Sequence, residues 1–527
     1  MPLWNPDAVV PRILIENRRD VTIVSPEPAR DAARMAQLKR LRHRMVTLCS
    51  QNNKSKNKPP VLAFERWLSR AALRREIAKK SSADPIIPDD GEICIGLIKD
   101  LSRSLSSEAA RSVAEAMAVD ASKAAEKVAS LPTKGSIAPE SAKQIKEAAK
   151  AVKKASKLAH TSLREQDESL ETTLATLKVA TKSLENCTSK IQRYAGYGDL
   201  VKIDCSRRPG IFDVSLIGPY GRPKKPYLTI STPHLLKLLD LWTRKRQNTT
   251  EEKVTINSIA KRDPLKIIET LGTDRISFSN SLFCCLARYE ALQGKGYQCA
   301  VPGIAFDAAA EKCGLGTTIE CFASPLNCRY TTYCSAFPDI EHSFGSLGSF
   351  FDDAFFPLEG SFEANPPFVP ETMSMMGAKL DRLLSNKDAK ELSFLVVVPA
   401  WGAGIQFCED LESSKFVRAN TRVPAASHAY CDGAQHNRVI RGDSVDLRPS
   451  SWDTAVILLQ NNLGAARWPV RTKMLEESFC AAFHDAAQNL PSEFTTIAKW
   501  EKRGVGKGGK GGHTSSYNNE PNKRPRY

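Results

Sequence analysis

Residues 360–368 read Gly360-Ser361-Phe362-Glu363-Ala364-Asn365-Pro366-Pro367-Phe368. The stretch follows a strand end and precedes a helix-like run, Glu371–Leu384. Short apolar segments lie on either side of it. Thr317–Phe322 (TTIECF), Phe394–Val398 (FLVVV) and Thr454–Leu459 (TAVILL) read as buried strands, and Leu475–Leu490 reads as a helix. From about residue 300 onward, strands alternate with helices, which predicts an α/β sheet.

Upstream the texture is helical. Met35–Leu48 carries apolar Met35, Leu38, Leu41, Met45 and Leu48, and Val61–Lys80 carries Trp67, Leu68, Leu73 and Ile77 on one side. Arg70, Arg74 and Arg75 of the second run either face RNA or belong to a helix that packs its apolar stripe on a neighbour. Between 104 and 194, Leu163, Leu170, Leu177, Leu184 and Ile191 recur every seven residues, with Ile145, Val152 and Ala159 as facing positions. This predicts a helical hairpin or small bundle. Residues 205–227 break the pattern: Arg207, Arg208, Arg222, Lys224 and Lys225 interleave with Phe212, Tyr220 and Tyr227. That mixture suits a nucleic-acid strand, and a Pro-rich linker explains it too. Residues 234–246 and 276–293 read as helices. The expected division is an irregular basic segment at 1–60, a mainly α-helical domain at 61–260, an α/β domain at 261–495, and a disordered Gly/Lys-rich basic tail at 496–527.

The chain has 527 residues, with 75 Lys and Arg against 59 Asp and Glu, a formal net charge of +16. Its 42% hydrophobic and 25% charged residues are ordinary globular values, which exclude wholesale disorder and collagen. The longest apolar runs are strand-sized, so no membrane span is expected, and the N-terminus has no basic n-region followed by an apolar h-region. The 14 Cys residues are scattered without a CxxC pair, and the eight His residues are dispersed. Reduced, mostly buried thiols in an intracellular protein are expected, with no metal site. Residues 1–300 hold 52 basic and 33 acidic side chains; residues 301–500 hold 16 and 24. A basic front half beside an acidic core points to a phosphate backbone as partner, against the alternative of a solvated charged helical surface. Gly504–Gly509 matches GxGxxG formally, but no strand precedes it and no helix follows, so it is rejected as a dinucleotide site. No P-loop or GxSxG elbow occurs.

The Asn365-Pro366-Pro367-Phe368 turn is where chemistry concentrates. It is similar to the turn that amino-methyltransferases use on planar nitrogens. The amine on adenine is a poor nucleophile because its lone pair is delocalised into the ring. An Asn side-chain oxygen can accept one amine hydrogen and the first Pro carbonyl the other, while the Pro pair stiffens the turn. Phe368 can stack on the base. Such a tetrapeptide arises about 0.02 times by chance in a chain of this length. Pro-Pro-aromatic also serves as an ordinary extended turn.

The surroundings sharpen the reading. Glu320-Cys321-Phe322-Ala323-Ser324-Pro325-Leu326-Asn327-Cys328 lies upstream, with Arg288-Tyr289-Glu290-Ala291-Leu292 before it. Val398-Pro399-Ala400-Trp401, His428-Ala429-Tyr430, Gln435-His436 and Leu458-Leu459-Gln460-Asn461 follow. In this order, from about 280 to 484, the chain resembles the phosphorylated-CTD-interacting-factor family of cap-specific adenosine N6-methyltransferases. The resemblance implies a Rossmann-like methyltransferase domain packed on a helical domain, with S-adenosyl-L-methionine as methyl donor. The implied substrate is capped RNA beginning with adenosine, usually 2′-O-methylated. Asn365, Pro366, Pro367 and Phe368 would form the catalytic turn. Glu320, Cys321, Phe322, Ala323, Ser324, Pro325 and Asn327, together with Asn365, would hold the cofactor. Phe368, Glu371, Trp401, His428 and His436 would meet the substrate, and Arg288 and Tyr289 either reach the cofactor or are buried with their helix. Two departures stand out. Only Glu371 supplies an acid soon after the turn, and Ala400 stands before Trp401 where the family has Glu. No WW module is visible near the N-terminus, which leaves the link to the RNA polymerase II machinery weak.

Two rival functions remain: an adenine-N6 or amide methyltransferase acting elsewhere, and a non-catalytic cap- or RNA-binding scaffold. The Glu320–Cys328 block argues against the first and the intact turn against the second. RNA is expected to be held mainly by residues 1–300, with steep salt dependence. Lys523–Arg526 hints at a nuclear location, with the cytoplasm as the alternative.

Overall fold

A computed structural model describes residues 26–52, 62–78, 84–88, 95–131, 150, 154, 201–217, 223–247, 263–292, 299–316, 319–401, 406–425, 427–437 and 447–488. The heptad run, its facing positions, residues 1–25, the formal GxGxxG and the basic end lie outside them. Among the described residues no helix is long and apolar enough to cross a membrane, and no group of three or more His, Cys, Asp or Glu could hold a metal ion.

The front of the chain forms α1 (Pro28–Gln51), α2 (Ala63–Ala78), α3 (Ile95–Leu101) and α4 (Ser107–Ala129). In α1, Leu38, Leu41, Met45 and Cys49 fall on one stripe and are all buried. In α4, the Ser106 hydroxyl caps the Ala109 N–H at 3.3 Å, and a face of Ala110, Val113, Ala114, Met117 and Ala121 packs on α1.

Residues 201–231 differ from the loop the sequence suggested. They form an antiparallel meander of β1 (Val201–Cys205), β2 (Ile211–Ile217) and β3 (Pro223–Ser231). Arg207, Arg208 and Pro209 only make the exposed turn of the first hairpin, closed by Gly210 at φ +74°. Phe212 is core, not a stacking platform. The front half is therefore not helical throughout.

Then come α5 (Thr232–Gln247), α6 (Pro264–Thr270), α7 (Asp274–Leu292) and α8 (Gly303–Cys313). From Phe278 to Tyr289 every residue of α7 is buried, because the helix lies between the front helices and the sheet. One hydrophobic core runs from Leu38 of α1 through Phe283 to Tyr333 and Phe344. The front helices and the sheet thus share their interior.

The main sheet has six strands. Its order is β5 (Tyr333–Ser335), β4 (Ile319–Ala323), β6 (Gly360–Ala364), β7 (Leu392–Pro399), β11 (Thr454–Gln460) and β8 (Val417–Val423). All run parallel except β11, which is antiparallel to both neighbours. β7 and β11 are buried along their whole length, which explains their unbroken apolar sequences. A short helix, α9 (Pro338–Glu341), leads out of β5. One face packs Phe362, Phe394, Val396 and Ile457 on α10 (Pro370–Leu384) and α11 (Gln406–Glu412). The other packs Leu395, Val397, Val456 and Leu458 on α8 and the C-terminal helical pieces. These are α12 (Asn462–Arg467), α13 (Thr472–Leu475), a π-helical turn at Glu476–Cys480 and α14 (Ala481–Gln488), where the sequence suggested one helix. A small ladder pairs β9 (Ala429–Cys431) with β10 (Leu447–Pro449).

Asn461 fastens the far end of the sheet. Its Oδ1 accepts from the Leu392 and Gly464 N–H groups at 3.2 and 2.7 Å, and its Nδ2 donates to the Lys390 carbonyl. A Cβ on Gly464 would collide with the Leu392 carbonyl oxygen, so this approach needs glycine.

Candidate functional site

Strand order reverses at β4, which has its sequence neighbour β5 on one side and β6 on the other. In open α/β sheets ligands sit beyond the carboxyl ends of the strands at such a reversal. Here the ends are Ala323 and Ala364, set side by side by the Glu320–Glu363 register. The chain leaving β6 is Asn365-Pro366-Pro367-Phe368.

Asn365 is 9% exposed, and its Nδ2 donates to the Cys299 carbonyl at 3.1 Å. That bond fixes which end of the amide is which. Its Oδ1 accepts no hydrogen bond among the described residues. The Val369 N–H donates to the Pro367 carbonyl at 2.7 Å, whereas the Pro366 carbonyl has no donor among the described residues. Two acceptors, Asn365 Oδ1 and Pro366 O, are thus left on one stiff turn. Phe368 is half-buried and meets Tyr430 edge to face, with ring centroids 6.0 Å apart.

The loop after β4 is tied to itself and to its strand. The Asn327 Oδ1 accepts from the Ser324 N–H and hydroxyl at 2.7 and 2.8 Å. Glu320 Oε2 accepts from the Arg329 and Tyr330 N–H groups at 2.7 and 3.3 Å. Burial pushes the Glu320 carboxyl up to about 7, against the pull of those N–H groups. Glu363 beside it is pushed well above the carboxylate range by burial and by Glu320. Lys237 of α5 donates to the Cys328 carbonyl at 2.6 Å and pins the loop from the front. Cys321, Ser324, Pro325 and Asn327 are buried; Phe322 and Ala323 are half-buried at the strand end, Phe322 against Phe350 and Phe351. Residues 319–328 and 364–368 contain no Lys or Arg, so neither segment carries a cationic side chain to oppose a cationic ligand.

The remaining candidates are dispersed. Glu371 opens α10 and pairs with Arg70 of α2 at 2.8 Å, and Arg70 also holds Asp100 at 2.8 Å. Trp401 packs edge-on to Phe407. His428 is fully buried, bonded to the Pro424 carbonyl at 2.8 Å and the Thr454 hydroxyl at 2.7 Å. His436 is buried beside His234, with ring centroids 6.4 Å apart. Arg288 grips Asp339 with both terminal nitrogens (2.8 and 2.7 Å) and Asp31 with Nε at 3.0 Å. Tyr289 donates to Glu341 at 2.5 Å. Burial in ion-pair and hydrogen-bond networks therefore accounts for Arg288 and Tyr289. Arg75 likewise donates to the Pro85 carbonyl at 3.0 Å. Sequence reasoning missed the Cys299 carbonyl and Thr454. A backbone carbonyl carries no residue-type signal, and Thr454 reads as the start of an apolar strand.

The fold and the turn define an α/β protein whose ligand site lies at the carboxyl edge of a mixed sheet and presents two fixed acceptors beside an aromatic ring. A family model described as "Phosphorylated CTD interacting factor 1 WW domain" matches residues 268–433. Over 93% of its length the chain is 28% identical to the Homo sapiens mRNA (2'-O-methyladenosine-N(6)-)-methyltransferase, 71% of which is covered. The Mus musculus protein of the same name is 27% identical over 90% of the chain, with 69% of it covered. The chain belongs to the phosphorylated-CTD-interacting-factor family. The expected absence of a WW module is corrected by the family match. That expectation rested on paired tryptophans near the N-terminus, whereas the matched segment lies further on and holds Trp401 alone.

Proposed function

We propose that this chain is an mRNA cap-specific adenosine N6-methyltransferase. It transfers methyl from S-adenosyl-L-methionine to the N6 amine of the first transcribed (2′-O-methyl)adenosine beside the 7-methylguanosine cap. The observation that carries the reading is the turn. Asn365 spends its donor on Cys299 and keeps Oδ1 for an incoming N–H, and the Pro366 carbonyl stands as the second acceptor. The family relatives are named for this reaction. The six-strand order, with its one antiparallel strand, supports a Rossmann-like methyltransferase domain.

The residues fit the methyl donor. Phe322 and Ala323 form a half-open ledge at the end of β4, next to Asn365, with no cation in either segment. S-adenosyl-L-methionine, when bound there, supplies a methyl group activated on a sulfonium. The protein's part is to orient the amine. Asn365 Oδ1 and Pro366 O each accept one N6 hydrogen, which turns the nitrogen lone pair away from the ring plane. Phe368 stacks on adenine. Glu320 acts at one remove by holding the loop that carries Ser324 and Asn327. Glu371, Trp401 and His436 are assigned to the substrate side, and capped RNA approaches over the basic front half. A nuclear site of action and contact with the RNA polymerase II machinery belong to the same reading.

The test is methyl transfer from labelled S-adenosyl-L-methionine to two RNAs that begin with adenosine and differ only in the cap. Transfer to capped RNA alone, lost in Asn365→Ala with cofactor still bound, is expected. Equal transfer to both RNAs would point to another N6 or amide methyltransferase. Cofactor binding with no transfer would leave a binding protein.

A further inference from the structure

The turn does not hold itself in place. Strand β9 reaches both of its ends. Cys431 exchanges two backbone hydrogen bonds with Ala300, at 3.0 and 2.8 Å, and the carbonyl of the adjoining Cys299 takes Asn365 Nδ2. Tyr430, one residue earlier, lays its ring edge against Phe368. Tyr430 is in turn fixed by a chain of hydrogen bonds whose direction is fully determined. The Pro424 carbonyl can only accept, so His428 Nδ1 carries the proton. Burial holds the His428 imidazole down to about 4, so it is neutral and Nε2 is an acceptor. The Thr454 hydroxyl must donate to it at 2.7 Å, which leaves Thr454 Oγ1 to accept from the Tyr430 phenol at 2.8 Å. Phe483 closes the cluster, 4.7 Å from the His428 ring and 5.1 Å from that of Tyr430.

We propose that His428, Thr454 and Tyr430 are positioning residues for the methyl transfer. Their hydrogen-bond relay locks β9, and β9 sets Asn365 through Cys299 and Phe368 through Tyr430. None of the three touches the substrate. The inference rests on the reading of the turn given under Proposed function. The sequence alone suggested a direct contact between His428 and RNA; a fully buried ring with both nitrogens bonded acts from behind instead.

The test uses the full chain with Thr454→Val, which keeps the shape and removes the hydroxyl, and Thr454→Ser, which restores it. Thr454→Val should lower kcat/KM for capped RNA at least about tenfold, since small misplacements at reacting atoms are costly. Its S-adenosyl-L-methionine affinity should stay within about twofold, and Thr454→Ser should recover most of the rate. Equal kcat/KM in Val and wild type, or a Ser variant as poor as Val, would overturn the proposal. A loss of cofactor affinity in step with rate would reduce the relay to a purely structural role and also overturn it. If Thr454→Val does not fold, Tyr430→Phe decides: it keeps the ring on Phe368 and removes the donor, and an unchanged rate refutes the relay. Should the wild type fail to methylate capped RNA, the functional reading falls, and hydrogen exchange judges the relay by itself. The Asn365, Phe368 and Val369 amides should then exchange at least about tenfold faster in Thr454→Val than in Thr454→Ser. Equal exchange would refute it.

Discussion

Replacing Arg288 with methionine separates a structural strut from a cofactor ligand. The guanidinium is 3% exposed and bonds Asp31 of α1 at 3.0 Å and Asp339 of α9 at 2.8 and 2.7 Å. Burial opposes its charge, yet the two carboxylates hold its pKa above the usual value. Removing one partner of a buried ion pair costs about 3–5 kcal/mol. Two features place this case at the low end. Asp31 keeps Arg34 at 2.8 Å, and the Asp339 side chain is 31% exposed, so solvent takes up part of its charge. The expected loss is about 3 kcal/mol. The assay is urea unfolding of the full chain, followed by fluorescence, with calorimetric titration of S-adenosyl-L-methionine under native conditions. Asp339→Asn in the Arg288→Met background should cost little more, because the two groups act as a pair. A stability loss below about 1 kcal/mol would refute the strut. So would a cofactor affinity that collapses while the protein stays folded.

Glu320→Gln should gain stability over wild type as pH rises. The folded carboxyl is pushed up to about 7 by burial, so wild type loses stability between about pH 4.5 and 7 while the variant does not; the gap at pH 8 should exceed that at pH 4.5 by roughly 2–3 kcal/mol in urea unfolding. A gap that does not change with pH refutes the assignment. Gly464→Ala should lower the melting temperature, with a cost of about 1–3 kcal/mol, because the new methyl strikes the Leu392 carbonyl. Arg207→Ala with Arg208→Ala, at the exposed first hairpin turn, should flatten the salt dependence of RNA binding by about 1 in the log–log slope. Arg70→Ala, which breaks the Asp100 and Glu371 pairs, should change stability and leave that slope unchanged.

Much of the sheet was legible because its strands are buried on both faces. β7 and β11 write themselves as Val-Val-Val and Ala-Val-Ile-Leu-Leu, and the turn after β6 stands out by its paired prolines. Edge strand β8 (VRANTRV) was not legible: only Ala419 and Val423 are buried, so its polar residues hide the alternation. The meander at 201–231 was masked by the Arg-Arg-Pro-Gly turn and by the prolines of β3. The front arginines were read as an RNA surface by composition alone. The structure sets Arg34, Arg42, Arg66 and Arg70 against Asp84, Glu65 and Asp100, and a charge census does not register such pairing. The shared core changes the experiment as well. Truncating residues 1–200 would strip α1, α2 and α4 from α7, so RNA and cofactor affinities would fall together with the fold.

The twelve described cysteines are all unpaired, and only Cys205 is exposed. They are also distributed across the interior. Cys49, Cys284 and Cys285 belong to the front core, Cys321, Cys334 and Cys408 to one face of the sheet, and Cys313 and Cys480 to the other. The chain thus carries native chemical reporters in each of its packed layers. Alkylation timed against a denaturant ramp, and read sulfur by sulfur in a mass spectrometer, would reveal the order in which the layers come apart, with no engineered probe.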